Sequence, residues 1–510
     1  MRDGAGQSHV GRGRDDEMQR PLLAAVPKGR VSNTKTRPFG NAAKTAQHAI
    51  AQRDGVSRAA ECCGGIRASL KSPPVTTPAA SRDVERELDA QQINEILDRG
   101  VVESVGRARR LSAFYRRHLA QSPPVRGVAE LAALPLTTKQ HVSEFNEQFW
   151  CVGREKFVDI ATTSGTTGVP TIYPLTVNDL DRLALNERLC FTRAGLTADD
   201  VVLLAVTMDK CFMAGLAYFE GLKQLGATVL RIGAGSPAML LSMMRRMGAT
   251  AIVSVPSFLK RVGEYAVQQG IDPAESTVRK LICIGEPVRD ADWKLTPLGA
   301  RLAENWNASV LSTYGNTELA CSLCECPAGN GGHLHPHLLH VEIVDDAGRP
   351  APDGHPGQLV ATTIGVEAMP VVRFATGDVT FMRRDRCSCG LWTPRIGPIL
   401  GRRDQAMKIK GTTVYPSAVQ RVLGGIELVL DYVMIATAPT LLSDELEVVV
   451  AVRGNSDGMA ELIREQLRGE LKVTPAVRIA SPQEIAAIGN SRELRKQRVF
   501  LDRRPRQGPG

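Results

Sequence analysis

Apolar residues recur at helical spacing once the chain passes Asp83. Ile93, Ile96, Leu97 and Val101 share one face, and Leu111, Phe114, Tyr115 and Leu119 continue as a second helix. Leu131, Leu134 and Leu136 lead to Thr137 and Thr138, hydroxyl residues suited to cap a short helix that ends near Phe149. The period then shortens to two: Val158 and Ile160 predict one strand and Thr171–Leu175 another, with a loop between them. From Asn178 to Ser312 helices and strands alternate, opening with a helix through Leu183, Leu185 and Leu189, a strand at Val201–Val206 and a helix from Ala214 to Leu225. Three helices give way to strands in nearly the same manner, at Gly226-Ala227-Thr228, Gly248-Ala249-Thr250 and Asn307-Ala308-Ser309. Gly and Asn accept the left-handed conformation past a last helical turn, so these junctions predict a parallel sheet covered by helices.

After Tyr314 the strands become short and hairpin-punctuated, as in Val341–Val344, the turn Asp345–Gly348 and Gln358–Thr363. Beyond Gly401 a smaller α/β unit follows, with strands near Met407–Ile409, Val433–Ala436 and Leu446–Val452 and a helix around Met459–Leu467. The expected fold class is therefore α/β. A large N-terminal domain, residues 83–401, carries helix-covered, mostly parallel sheets plus a β-rich subdomain, and a small α/β C-terminal domain spans 402–504. Residues 1–80 show no sustained period and read as a disordered extension.

Composition changes this picture in two respects. Residues 1–80 hold 13 Lys+Arg against 6 Asp+Glu, so +7 of the formal +9 sits there and the rest is close to neutral. No nucleic-acid-binding face is expected from such a balance. Eleven thinly spread cysteines do not form a secreted disulfide framework, no apolar run is long enough to cross a bilayer, and the N-terminus lacks the layout of a signal peptide. A cytoplasmic protein with reduced thiols and no membrane partner is expected.

The loop between the first two strands, TTSGTTGVPT from Thr162 to Thr171, holds two glycines, six hydroxyls and no side-chain charge. Ser164, Gly165, Thr166, Thr167 and Gly168 supply the backbone N–H groups and hydroxyls that wrap phosphate oxygens, without the Lys that a Walker A loop requires. Four motifs follow in order: GEP at Gly285–Pro287, YGNTE at Tyr314–Glu318, RFATGD at Arg373–Asp378 and GRRDQAMKIKG at Gly401–Gly411. Alone, each is an ordinary turn, cap or core segment. In this order the chain resembles the adenylate-forming superfamily of acyl-CoA synthetases, and is most similar to its phenylacetate-CoA ligase and coenzyme F390 synthetase branch. Thr171, where many relatives outside the branch have Lys, the AFYRRHL and LPLTTK segments, and TTVYPSAV after Gly411 mark that branch. The resemblance covers about Asp83 to Asp502.

The resemblance implies ATP- and Mg²⁺-dependent activation of a small-molecule carboxylic acid to an acyl-adenylate, then transfer to coenzyme A. Nucleotide binding would fall to the loop residues and to Gly285, Glu286, Pro287, Tyr314, Gly315, Asn316, Asp378 and Arg402. Tyr314 would stack on the purine, Asp378 would accept the ribose hydroxyls, and Glu318 and Thr317 would be catalytic, Glu318 holding Mg²⁺ against the phosphates. Asp404 resembles the hinge about which a mobile C-terminal domain turns. The branch carries Gly-Lys before an Arg-Val pair, whereas Leu494-Arg495-Lys496-Gln497 precedes Arg498-Val499 here; Lys496 is taken as the catalytic cation, with Arg495 the other candidate. Cys326, His333, Cys387 and Cys389 form a Cys₃His set suited to a closed structural Zn²⁺ site, similar to a pattern in the F390 synthetase-like relatives. Cys321, Cys324, His335, His337 and His340 crowd the same stretch, so ligand identity stays open. Phe212, Met213, Phe219 and Phe258 suggest an apolar or aryl acid. An amine or a carrier-protein thiol as acceptor, and a non-catalytic adenylate-binding protein, are the alternatives.

Overall fold

The computed structural model describes residues 85–163, 170–438, 443–454, 456–489 and 499–505. Helix α1 (Ala90–Leu111) starts at a capping box between Asp89 and Gln92 and buries Ile93, Leu97, Val101 and Val105. Ser112 separates it from α2 (Ala113–His118): its hydroxyl accepts from the Tyr115 N–H and donates to the Gln148 carbonyl. Leu111 therefore ends the first helix, 45% exposed, rather than joining the buried face of the second. The short strand β1 (Thr137–Thr138) runs into α3 (Lys139–Glu144), with Thr138 as its N-cap as expected. Strands β2 (Asp159–Thr163) and β3 (Thr171–Leu175) pair antiparallel and frame residues 164–169.

Alternation then builds the main sheet: α4 (Val177–Arg193), β4 (Val201–Leu204), α5 (Met213–Leu225), β5 (Thr228–Arg231), α6 (Pro237–Met247), β6 (Ala251–Ser254), α7 (Pro256–Gln268), β7 (Lys280–Ile284), α8 (Pro297–Trp306), β8 (Ser309–Asn316) and β9 (Cys321–Cys324). The sheet order is β5-β4-β6-β7-β8-β9, parallel except for β9, which turns back on β8. Gly226, Gly248 and Asn307 cap their helices with φ of 90°, 62° and 45°, the left-handed junctions read from the sequence. Side chains alternate across the pleat. Leu203, Ile252, Leu281 and Cys283 pack with Leu240, Leu259 and Trp306, while Val202, Leu204, Val253 and Ile282 pack with Phe191, Tyr218 and Leu222.

A second layer follows, formed by β10 (Gly332–His333), β11 (Leu339–Val344), β12 (Gly357–Thr363), β13 (Phe374–Thr380), β14 (Met382–Arg383), β15 (Arg395–Ile396) and β16 (Gly401–Arg402). Its larger sheet runs β1-β13-β12-β11, with β16 also on β13, and its smaller one runs β10-β15-β14. The C-terminal part comprises β17 (Met407–Ile409), β18 (Thr412–Val414), α9 (Pro416–Gly425), β19 (Val429–Thr437), β20 (Glu445–Val452), α10 (Met459–Leu471), β21 (Ala476–Ile479), α11 (Pro482–Ile488) and β22 (Phe500–Asp502). Its sheet, β21-β20-β19-β22, packs Met434, Val448 and Val450 against Val419 and Leu423 of α9 and Ile463 and Leu467 of α10; α11 covers the other face through Ile485. That core is separate from those before Gly401, and Arg301 Nη2 bridges to it at the Gly425 carbonyl, 3.0 Å away. Among the described residues, no helix is long and apolar enough to cross a membrane.

Candidate active site

At the carboxyl end of β8 the YGNTE, RFATGD and GRRDQAMKIKG motifs meet. The Tyr314 hydroxyl donates to Asp378 Oδ2 at 2.8 Å, and Arg402 Nε donates to Asp378 Oδ1 at 3.1 Å. Register explains the second contact, since Asp378 and Arg402 are direct partners of β13 and β16. The Asp378 side chain is 5% exposed, so two donors orient a carboxylate whose remaining lone pairs have almost no water to turn to. Burial raises the Tyr314 phenol well above its ordinary range, and the Asp378 charge adds to that rise.

Asn316 ends β8 and accepts the Glu318 N–H through Oδ1 at 2.9 Å, which starts the 3-10 turn Thr317–Leu319. Burial raises the Glu318 carboxyl; the charges of Lys139 and Arg402 oppose that rise and the charge of Asp378 adds to it. Lys139 arrives because β1 lies parallel on β13, Thr137 opposite Phe374 and Thr138 opposite Ala375. A buried loop of hydrogen bonds locks that junction: Val372 N–H to the Tyr115 hydroxyl, Tyr115 to Thr137, and Thr137 Oγ1 to the Val372 carbonyl. Tyr173 of β3 is buried beside Thr163 and Glu318; burial first, and then the Glu318 charge, raise its phenol well above the ordinary range.

Neither Lys139 nor Tyr173 was singled out by the sequence, although the Thr-Thr-Lys at a helix start was a visible signal for the first. Arg182 was missed as well. Its buried guanidinium reaches from α4 to the carbonyls of Ile364, Ala320 and Leu338, and Ala320 ends the Glu318 turn in the left-handed conformation. One turn on, the Asn186 amide both donates to the Ser322 carbonyl and accepts the Ser322 N–H. A charged residue on the apolar side of a helix was the only available sign.

Thr162 and Thr163 continue β2 up to the hydroxyl-rich loop, and the Thr162 N–H is held by the Cys211 carbonyl at 3.0 Å. Ser164, Gly165, Thr166, Thr167 and Gly168 lie outside the described residues, as do Arg495 and Lys496. Gly285 leaves β7 with φ 74°, a turn that only glycine makes without strain. Glu286 directs its carboxylate to the start of α7, accepting from the Ser257 N–H at 2.8 Å and the Ser257 hydroxyl at 2.7 Å; Pro287 follows, half-buried. Gly315 is exposed and Asp404 lies in the 3-10 turn Arg403–Gln405. Of the residues that suggested an apolar acid, Phe258 is 1% exposed and belongs to the core beneath the sheet with Leu259 and Val262, because α7 turns its apolar face inward. Met213 is likewise core, 6% exposed.

Cys326, His333, Cys387 and Cys389 converge, with all four donor atoms within 4.8 Å of one another. Cys326 Sγ and Cys387 Sγ stand 3.8 Å apart, and Cys389 Sγ and His333 Nε2 3.5 Å apart. Thiolates about 2.3 Å from a tetrahedral ion stand about 3.8 Å from each other, so the set fits Zn²⁺. His333 Nδ1 meets the Thr393 hydroxyl at 2.8 Å, leaving Nε2 toward the thiols. The crowding seen in the sequence resolves: His335 turns to Cys190 and Glu85, and Cys321 and Cys324 lie in β9 outside the cluster.

Residues 84–368 match the AMP-binding enzyme family. Phenylacetate-coenzyme A ligase of Thermus thermophilus is 31% identical over 348 residues, 66% of this chain and 77% of that protein. The enzyme of the same name from Aromatoleum evansii is 26% identical over 398 residues, 75% of this chain and 87% of its own. A solved structure of 2-hydroxyisobutyryl-CoA ligase in the postadenylation state superposes with a TM-score of 0.73 at 21% identity, covering 84% of this chain and 94% of that one. The chain thus belongs to the AMP-binding, adenylate-forming superfamily, in its phenylacetate-CoA ligase-like branch. Within that branch it is an AMP-forming acid–CoA ligase.

Proposed function

We propose that the enzyme activates an apolar, aryl-type carboxylic acid with Mg·ATP and passes the acyl group to coenzyme A. The relatives named for phenylacetate support the acid class. The observation that carries the nucleotide role is the Asp378 carboxylate, oriented by Tyr314 and Arg402 within the charge field of Glu318 and Lys139. Adenylation needs the acid carboxylate in line with the α-phosphorus and the departing pyrophosphate neutralised, which is a matter of position and charge. Asp378 accepts the ribose hydroxyls on its free lone pairs, and Tyr314 carries the adenine. Lys139 supplies a positive charge on the phosphate side, where the hydroxyl loop has none. Glu318, a half-buried carboxylate among cations, has the hard oxygen donors that Mg²⁺ takes; bound there, the ion would neutralise phosphate charge.

Residues 83–401 act as the large domain and 402–504 as a small domain that turns about Asp404 between half-reactions, with Lys496 or Arg495 delivered for the first. Cys326, His333, Cys387 and Cys389 would hold a structural Zn²⁺, which would cross-link the loop after β9 and the turn before β15. The test is pyrophosphate release with ATP, Mg²⁺ and a panel of aryl and aliphatic acids, followed by thioester formation with coenzyme A, an amine or a phosphopantetheine carrier. Release that peaks with aryl acids and a thioester formed with coenzyme A are expected. Silence across the panel, or an acceptor other than coenzyme A, refutes the reading.

A further inference from the structure

Between Gly401 and Lys408 the backbone changes allegiance within one peptide unit. Upstream, the side chains and the β16 ladder are tied to the β-rich layer: β16 pairs with β13, Arg402 reaches Asp378, and Arg403 reaches Gln358 Oε1 at 3.0 Å and Asp346 Oδ1 at 3.1 Å, while Tyr415 and the Ser417 hydroxyl rest against Gly401 and the Leu400 carbonyl. Downstream, one side chain from the far end of the chain takes over. Arg504 Nη1 donates to the Ala406 carbonyl at 2.6 Å and to Asp444 Oδ2 at 3.0 Å, and its Nη2 lies 3.4 Å from the Asp404 carbonyl. Its Nε and Nη2 also grip the Asp502 carboxylate, at 2.8 and 2.7 Å, at the end of β22. Asp444 closes the connection, accepting the Lys408 N–H at 2.7 Å while its own N–H donates to the Lys408 carbonyl. The Arg504 side chain is 14% exposed; its bonds to the Ala406 carbonyl and Asp444 are part-buried, while those to Asp404 and Asp502 face solvent.

We propose that Arg504 is a positioning residue that clamps the backbone of 404–408 to the C-terminal sheet. Turning of the small domain is then confined to the torsions between the Arg403 Cα and the Asp404 carbonyl. The inference rests on the domain rotation proposed above and adds what makes the pivot sharp. A pivot one peptide long carries the domain along a single arc, so it lands in register for thioester formation; a pivot smeared over five residues does not. Arginine suits the position because its rigid fork serves two carbonyls and two carboxylates at once, whereas a lysine ammonium reaches only part of that set.

The experiment compares the wild-type enzyme with Arg504→Gln and Arg504→Lys in the full chain. Each half-reaction is measured separately, pyrophosphate release without coenzyme A and thioester formation with it, alongside amide hydrogen exchange over 404–408. For Arg504→Gln, pyrophosphate release and the KM for ATP are expected within about threefold of wild type, thioester kcat down about tenfold or more, and 404–408 exchange faster by about tenfold. Arg504→Lys is expected to fall between the two. Equal losses in both half-reactions, or thioester formation at the wild-type rate, overturn the clamp in an enzyme whose wild type is active. A wild type silent in both half-reactions overturns the underlying functional reading instead, and is recognised because the variants then match it.

Discussion

Replacing Asp378 by Asn separates the charge of the proposed ribose acceptor from its shape. The amide keeps the volume, presents its oxygen to Arg402 Nε, and leaves its NH₂ facing Tyr314, whose hydroxyl can turn to accept. Stability should change little, because the amide keeps both hydrogen bonds and the Arg402 side chain, 49% exposed, keeps its access to water. Nucleotide use should change much more. Hydrogen bonds to a charged acceptor exceed neutral ones by about 1 kcal/mol, so two ribose hydroxyls lose about 2 kcal/mol together, about 30-fold in kcat/KM for ATP. Steady-state pyrophosphate release against ATP concentration, at saturating acid and Mg²⁺, reads this directly, and a thermal melt controls for folding. A kcat/KM for ATP within threefold of wild type, with the melting point unchanged, would refute the ribose role; so would a loss carried entirely by the KM for the acid.

Burial raises the Glu318 carboxyl, so its carboxylate form is lost as pH falls through a value above the ordinary glutamate range. At limiting Mg²⁺ the acid limb of pyrophosphate release is expected there, moving to lower pH as Mg²⁺ is raised and to higher pH in Lys139→Gln; a limb unmoved by both changes counts against Glu318 as the metal-binding acid. One Zn²⁺ per chain is expected by native mass spectrometry, lost in Cys389→Ser and His333→Ala with a melting point lower by on the order of 5 °C, and retained in Cys321→Ser. Metal content that ignores the first two substitutions, or follows the third, is the contrary result. Arg182→Gln withdraws a buried charged donor from three carbonyls and is expected to cost about 3 kcal/mol in urea unfolding; under 1 kcal/mol would show that water or neighbours satisfy them.

Local pattern determined a great deal of this protein by itself. The left-handed junctions at Gly226, Gly248 and Asn307, the hairpin around the hydroxyl loop and the order of the motifs are properties of a few consecutive residues, and backbone sterics and side-chain period suffice to read them. The Cys₃His set was legible too, since two of its donors are neighbours on one turn. Boundaries were less so: Leu111 was placed one helix late because a single Ser112 cap, not a break in apolar spacing, divides α1 from α2.

What tertiary structure decided concerns partners far apart in sequence. Lys139 reaches the Glu318 field only because β1 pairs with β13, and Arg182 meets Ala320 across 138 positions. Glu286 caps α7 through Ser257, and Phe258 lies in the core because α7 faces inward. Arg504 finds the Asp404 and Ala406 carbonyls a hundred residues upstream. The physical reason is common to all of these. A period of two or 3.6 is written in adjacent residues, whereas the partner of a buried charge is chosen by strand register and helix docking, which no short stretch of sequence contains.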